Sequence, residues 1–127
     1  MRLLLDTQLA IWWQIRAPAL STQTIATVRN AEAVFVSRAS LWEMAIKIGL
    51  GKLRIDLPLF AEYVERSGFH WLDIKTEHIL RLEQLPHDND HKDPFDRLLI
   101  AQSISEPLIF LTADMKLERY GNTIRIA

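Results

Sequence analysis

Two kinds of apolar pattern alternate along the 127-residue chain. Short runs of consecutive apolar residues are typical of strands buried on both faces of a parallel sheet. Apolar residues three or four positions apart are typical of helices that bury one face. The runs predict strands at residues 2–5, 33–36, 69–72, 108–111 and 123–126.

Helices are predicted between these strands. Ser21 is placed to cap the second helix, and Asp93-Pro94 is a strong start for the last one. Because strands alternate with helices that cross between them, the sequence predicts a three-layer α/β/α domain with a mainly parallel central sheet. Four further helices are predicted: one after Asp6-Thr7, one at about residues 39–48, one from Pro58 to the Ser67-Gly68 stop, and one at about residues 76–85.

Composition narrows the class of protein. A chain of 127 residues that is 49% apolar can bury one hydrophobic core, so we expect one domain spanning residues 1–127. The absence of cysteine excludes disulfides and thiolate metal sites and fits a reducing compartment, with the cytoplasm as the expected location.

Charge and hydropathy limit the partners. The apolar run near the amino terminus is too short for a signal peptide, and no apolar stretch approaches the roughly 20 residues of a membrane span, so no membrane partner is expected. The formal net charge of −1 gives no general positive field for a nucleic acid. Such a partner would have to be held by local basic groups and cation-bridged phosphates.

Four acidic residues stand where the predicted fold would bring them to one edge of the sheet. Asp6 directly follows one predicted strand, Asp114 comes three residues after another, and Glu43 and Asp96 fall in the first turns of predicted helices. The carboxyl ends of parallel strands meet at one edge, where open α/β folds bind ligands. Clustered carboxylates repel one another, and Mg²⁺ or Mn²⁺ prefers such oxygen ligands. The sequence therefore predicts a metal site that activates water to hydrolyse a phosphodiester.

Each of these acids also has a local structural explanation. Ser40 and Glu43 match a capping box, and Glu43 and Lys47 are spaced as an i,i+4 ion pair. Asp6 can cap the first helix, and Asp114 can organise a turn. Capping does not require several caps to share one edge of one sheet, whereas metal-assisted hydrolysis does, so the joint pattern favours the metal site.

The segments around the acids resemble a known family. LLLDT, SLWEMAIK, KDPFDRLLIAQ and LTAD are similar to segments of PIN-domain ribonucleases, specifically the VapC-type toxins of bacterial toxin–antitoxin pairs. The resemblance spans almost the whole chain. It implies an endoribonuclease that uses Mg²⁺ or Mn²⁺ and is silenced by a cognate antitoxin. By position, it also implies that Asp6, Glu43 and Asp96 are the catalytic and metal-binding acids, with Asp114 as a further metal ligand and Thr112 as a polar helper.

Other residues are candidates for partner contacts. Arg97 and Lys116 flank the last two acids and are expected to bind RNA phosphates. Trp12 and Trp13 belong to a first helix that is apolar on two sides, which suits either deep burial or contact with another chain. The apolar first helix and the family resemblance together favour a homodimer.

Two conspicuous features near residue 90 have simpler interpretations. His87 and His91 lie among several aspartates, but the segment lacks the glycine and terminal glutamate of an EF-hand calcium loop, so a solvated loop is expected. Asp93 precedes a proline, which favours helix capping over metal ligation.

Two functions of other classes remain open. A catalytically silent PIN-like module would keep the fold as a protein-binding surface. A phosphorylation-controlled receiver domain has about this length and also places acids at the carboxyl edge of a sheet. Against the receiver, Asp6 is followed by Thr7 rather than a second acid, and Lys116 lacks a following proline.

Overall fold

The computed structural model describes residues 1–87 and 93–127, so most of the predicted polar loop at residues 86–92, including His91, lies outside the described residues. The described strands are β1 (Arg2–Leu5), β2 (Ala33–Ser37), β3 (His70–Leu72), β4 (Ile109–Thr112) and β5 (Ile124–Ile126). They form one sheet in the order β3-β2-β1-β4-β5, and all neighbouring strands are parallel. All five predicted strands are confirmed, with ends shifted by one residue at most.

The strand order decides between two interpretations of the acidic residues. Receiver-type domains follow the order 2-1-3-4-5, in which the first strand lies between the second and the third. Here β1 lies between β2 and β4. The receiver alternative was therefore wrong.

Helices cover both faces of the sheet, as predicted for an α/β/α domain. A short 3₁₀ helix at Met115–Tyr120 was not predicted, because a segment of six residues is too short for a reliable helical period. No described helix is long and apolar enough to cross a membrane. The helices are α1 (Thr7–Ile15), α2 (Thr22–Arg29), α3 (Arg38–Gly49), α4 (Leu57–Arg66), α5 (Thr76–Glu83) and α6 (Pro94–Ser105).

Side chains of β1 point alternately into two hydrophobic cores. Leu3 and Leu5 pack on one face with residues of α1, α2, α3 and α4, including Phe60. Leu4 packs on the other face with Phe110 and residues of α6, including Leu99. The three leucines are almost completely buried, so truncating any of them to alanine should cost about 2–5 kcal/mol. This double burial explains why β1 is a continuous apolar run.

The start of α3 differs from the predicted capping box. β2 ends at Ser37, whose hydroxyl accepts a hydrogen bond from the Ala39 N–H at 3.0 Å and caps the helix. Ser40 therefore lies inside the first turn, and Glu43 lies in the second turn rather than the first. The prediction for Ser40 and Glu43 was wrong because the end of the preceding strand determines which of two nearby serines becomes the cap.

Candidate metal centre

Asp6 lies between β1 and α1 and uses both of its carboxylate oxygens. Oδ1 accepts a hydrogen bond from the Leu9 N–H at 2.7 Å, which caps α1, and Oδ2 accepts one from the Thr112 hydroxyl at 2.5 Å. Only 7% of the residue is exposed. Burial raises the pKa of Asp6 above its ordinary value; the hydrogen bonds oppose this shift and the charge of Glu43 adds to it.

Thr112 connects Asp6 to Asp114. Its hydroxyl donates to Asp6 and accepts a hydrogen bond from the Asp114 N–H at 3.0 Å. Asp114 Oδ1 accepts from the Lys116 N–H at 3.0 Å and caps the 3₁₀ helix. Because β1 and β4 are paired neighbours, Asp6 and Asp114 follow adjacent strands at the same edge of the sheet.

Glu43 lies on the buried side of α3 and faces α1. Its Oε1 accepts a hydrogen bond from the Thr7 hydroxyl at 2.7 Å, and the same hydroxyl lies 2.8 Å from the Ser40 Oγ. Its Oε2 lies 2.9 Å from the Lys47 Nζ, which confirms the predicted i,i+4 ion pair. Glu43 is only 5% exposed, so this pair and the Thr7 hydrogen bond offset the cost of burying its charge.

The start of α6 brings two more acids to the same region. Asp93 Oδ1 accepts hydrogen bonds from the N–H groups of Phe95 at 2.8 Å and Asp96 at 3.1 Å, so Asp93 caps α6 as predicted. Asp96 is half-buried in the first turn. The hydrogen bond to Glu43 raises the pKa of Lys47 above its ordinary value, and the charges of Asp93 and Asp96 contribute to the shift. The positive charge of Lys47 is therefore attracted by three of the acids in this region.

We call the surface that carries the four predicted metal-binding acids the acidic edge. Thr112 links Asp6 to Asp114, and Thr7 and Lys47 hold Glu43. Among the described residues, no three of these carboxylates have ligand oxygens within 4.8 Å of one another. Mg²⁺ commonly binds one or two carboxylates directly and keeps several waters, so this all-oxygen donor set fits Mg²⁺ or Mn²⁺. The four acids are Asp6, Glu43, Asp96 and Asp114.

A second group of potential ligands lies elsewhere and is better explained by helix packing. Ligand atoms of Glu77, His78 and Glu106 lie within 4.8 Å of one another. The Lys75 N–H donates to His78 Nδ1 at 3.0 Å, so the ring proton is on Nε2, which donates to Glu106 Oε2 at 2.7 Å. Nδ1 therefore caps the start of α5, and Nε2 joins α5 to Glu106 at the end of α6. The hydrogen bond from His78 lowers the pKa of Glu106, and Lys75 contributes to this shift.

The two basic residues selected from the sequence have different surroundings. Arg97 Nη1 donates to the Pro86 carbonyl oxygen at 2.9 Å and lies 3.3 Å from the Tyr120 hydroxyl, so it ties α6 to the 3₁₀ helix. Lys116 is exposed beside Asp114. The sequence did not identify Thr7 as the hydrogen-bond partner of Glu43. The two residues are 36 positions apart, so no local pattern signals this contact.

Trp12 and Trp13, the candidates for contact with another chain, are half-buried. They pack against the core on the α1 side of the sheet. Trp13 also contacts Phe69, with 5.7 Å between ring centroids. Intramolecular packing therefore accounts for part of the apolar surface of the first helix.

Comparisons with known proteins give a family and a fold. A model of the PIN domain family matches residues 3–122. Comparison with curated protein sequences gives no match. Among solved structures, VapBC2 from Rickettsia felis bound to a promoter DNA fragment is similar, with a TM-score of 0.68 and 14% identity over 100% of this chain and 98% of that chain.

Two further solved structures are similar over almost their full length. DNA-bound VapBC from Salmonella typhimurium has a TM-score of 0.66 and 19% identity, covering 100% of this chain and 97% of that chain. A toxin–antitoxin complex from Klebsiella pneumoniae has a TM-score of 0.63 and 13% identity, covering 96% and 94%. At these identities the likeness shows a shared fold.

Proposed function

Because the chain belongs to the PIN-domain family, we propose that it is a metal-dependent endoribonuclease and the toxin of a toxin–antitoxin pair. PIN domains are generally nucleases, and the finer assignment rests on the acidic edge. The main support for this assignment is the position of Asp6, Glu43, Asp96 and Asp114 at the carboxyl edge of one parallel sheet. Helix capping alone does not require four acids to share one edge.

In this proposal, Asp6, Glu43 and Asp96 hold Mg²⁺ or Mn²⁺ and are the catalytic acids, and Asp114 completes the metal site. The bound ion would neutralise phosphate charge and supply an activated water for hydrolysis. The chain's own residues prepare the site. Thr112 orients Asp6 and the Asp114 backbone, while the Thr7 hydroxyl and Lys47 hold Glu43.

Partners follow from the same assignment. The Klebsiella pneumoniae protein is a toxin–antitoxin complex, and its similarity in fold supports a cognate antitoxin as the partner of this chain. We further propose that residues 1–127 act as one domain, that the protein forms a homodimer, and that it cuts RNA in the cytoplasm. Lys116 and Arg97 remain our proposed phosphate-binding residues, with Lys116 the more accessible of the two.

A catalytically silent PIN-like module is the remaining alternative. Such a module would have no need of an acidic edge with two buried carboxylates. Glu43 is compensated by Lys47 and Thr7, but Asp6 is only 7% exposed and its burial disfavours the charged carboxylate. A silent module would have no reason to keep this cost, which favours a functional role for Asp6 in catalysis.

The test is cleavage of a mixed RNA pool by the purified, antitoxin-free protein with Mg²⁺ or Mn²⁺. We expect cleavage that chelator abolishes and that Asp96→Asn removes, because the substitution takes away a ligand charge while keeping the shape of the side chain. Asp93→Asn is the matched control and should retain activity, since asparagine also caps helices. Equal loss in both variants would contradict this division of roles, and equal cleavage by wild type and Asp96→Asn would indicate a contaminating nuclease.

A further inference from the structure

An aromatic pair lies beside the acidic edge. Trp42 and Phe95 directly precede Glu43 and Asp96 in the sequence, and their rings meet edge to face with 4.9 Å between centroids and 80° between planes. Trp42 is 55% exposed although it is a large apolar residue. The contact joins α3 to α6, the two helices that carry Glu43 and Asp96, and leaves much of the indole open to solvent.

Arg38 lies one helical turn before Trp42 on the same face of α3. Its guanidinium stacks over the Trp71 ring at 4.5 Å, and its Nε donates to Asp73 Oδ1 at 2.9 Å. These two contacts fix the plane of the guanidinium. In the part of the chain that the structure describes, its two terminal nitrogens have no hydrogen-bond partner, so they are available to a phosphate.

The charge of the protein makes an aromatic contact valuable to an RNA nuclease. The net charge is −1, and the acidic edge adds local negative charge where a polyanionic strand must approach. Stacking of a base on an aromatic ring attracts RNA without depending on net charge, and it tolerates any base sequence. It also requires that the base be unpaired, as in loops and single strands.

We propose that Trp42, supported by Phe95, stacks an unpaired RNA base next to the acidic edge, while Arg38 binds a neighbouring phosphate. This inference rests on the proposed ribonuclease function and names the residues that would hold one unpaired nucleotide of the substrate. Trp42 is a substrate-binding residue in this scheme, and Phe95 positions its ring.

The same face of α3 continues away from the acids through two further exposed apolar residues, Ile46 and Leu50. A protein partner would use the whole face, whereas a stacked base uses only its end beside the acids. Leu50 is 64% exposed and lies two turns beyond Trp42, so Leu50→Ala is a matched control for loss of exposed apolar surface.

The experiment measures binding of fluorescein-labelled oligo(U) and oligo(A) of about 12 nucleotides. The Asp96→Asn protein is used so that the RNA stays intact, and affinities come from fluorescence anisotropy. Trp42→Ala should bind roughly ten- to a hundred-fold more weakly, and Trp42→Phe should recover part of the loss. Leu50→Ala should bind like its parent. Melting curves verify that each variant is folded.

A double-mutant cycle that combines modified RNA with Trp42→Ala shows whether an RNA base stacks on the Trp42 indole. One abasic nucleotide is placed in turn at each position of the oligonucleotide. At the stacked position it should weaken binding to the parent protein but have little further effect on Trp42→Ala. Unchanged affinity of Trp42→Ala, or no measurable binding of either oligonucleotide by the parent, would overturn the inference. So would a change in oligomeric state in both Trp42→Ala and Leu50→Ala, which would identify the face as a protein interface.

Failure of this inference can be distinguished from failure of the proposed function. If wild-type protein cleaves RNA with metal and Trp42→Ala cleaves equally well at low RNA concentration, the nuclease assignment stands and the stacking role is wrong. If wild type shows no metal-dependent cleavage of the mixed pool while the oligonucleotides bind through Trp42, the stacking role stands and the nuclease assignment is wrong.

Discussion

Asp6→Asn should make the protein more stable at neutral pH when divalent cations are removed. Burial raises the pKa of Asp6, which means that its charged form is disfavoured in the folded state. Asparagine has nearly the same shape, and its oxygen can still accept the capping hydrogen bond from the Leu9 N–H. Its amide can donate to the Thr112 oxygen, but the Thr112 hydroxyl then loses its acceptor, which reduces the gain. The substitution therefore removes the buried charge and keeps the cap.

The size of the effect follows from opposing contributions. Burying a carboxylate costs several kcal/mol, and each hydrogen bond to a charged group returns about 1.5–3 kcal/mol, compared with about 1 kcal/mol for a neutral one. The raised pKa of Asp6 means that the cost of burial exceeds what these hydrogen bonds return, and we take the balance in favour of asparagine as about 1–3 kcal/mol. For 127 residues the entropy of unfolding is about 0.27 kcal/mol/K, so the melting temperature should rise by about 4–11 °C.

The pH dependence has a defined sign. The folded state holds the Asp6 proton more tightly than the unfolded state does. Below about pH 3.9 the carboxyl group is protonated in both states, and the charge then costs nothing. As pH rises toward the raised pKa, wild type loses stability relative to Asp6→Asn, and above that pKa the difference is constant. Saturating Mg²⁺ should reduce or reverse the difference in stability between Asp6→Asn and wild type, because a cation bound to the Asp6 carboxylate stabilises the wild type.

The assay is thermal unfolding of both proteins across pH, with chelator and with Mg²⁺. Asp56→Asn is the control, since Asp56 caps α4 from an exposed position and should change the melting temperature little. A lower melting temperature for Asp6→Asn than for wild type at pH 7.5 in chelator would refute the reasoning. It would show that the hydrogen bonds to the carboxylate outweigh the cost of its burial.

Two further substitutions test the hydrogen-bond networks. Thr112→Val should lower the free energy of unfolding by about 2–3 kcal/mol in urea titrations, because it leaves the Asp114 N–H without its partner and removes the hydroxyl bound to Asp6; Thr112→Ser should recover most of the loss. Glu106→Gln should cost less than about 1 kcal/mol at pH 7, because Glu106 is partly exposed and glutamine still accepts from His78. The lowered pKa of Glu106 means that its charge stabilises the protein above the unfolded pKa, so the difference in stability between the two proteins should vanish as pH falls through the folded pKa. A difference that persists there would argue against a contribution from the charge of Glu106, through its hydrogen bond with His78 or its ion pair with Lys75.

Local sequence patterns determined the elements of this fold. The strands were predictable because both faces of the sheet are buried, which gives continuous apolar runs such as Leu3–Leu5. The Asp93 cap and the Glu43–Lys47 pair were predictable because both depend on residues within one helical turn. The cap and the ion pair follow from interactions within a short stretch of chain, and the strands follow from an apolar run that is itself local in the sequence.

Tertiary structure decided how the acidic edge is organised. Thr112 and Asp6 are 106 positions apart, and Thr7 and Glu43 are 36 apart, so no local pattern signals either contact. They form because β1 lies between β2 and β4, which brings the segments after these strands to the same edge. The contact between Trp42 and Phe95 likewise depends on how α3 packs against α6. The sequence by itself predicted that four acids lie at one edge of the sheet, whereas their hydrogen-bond partners and the raised pKa of Asp6 depend on strand order and packing.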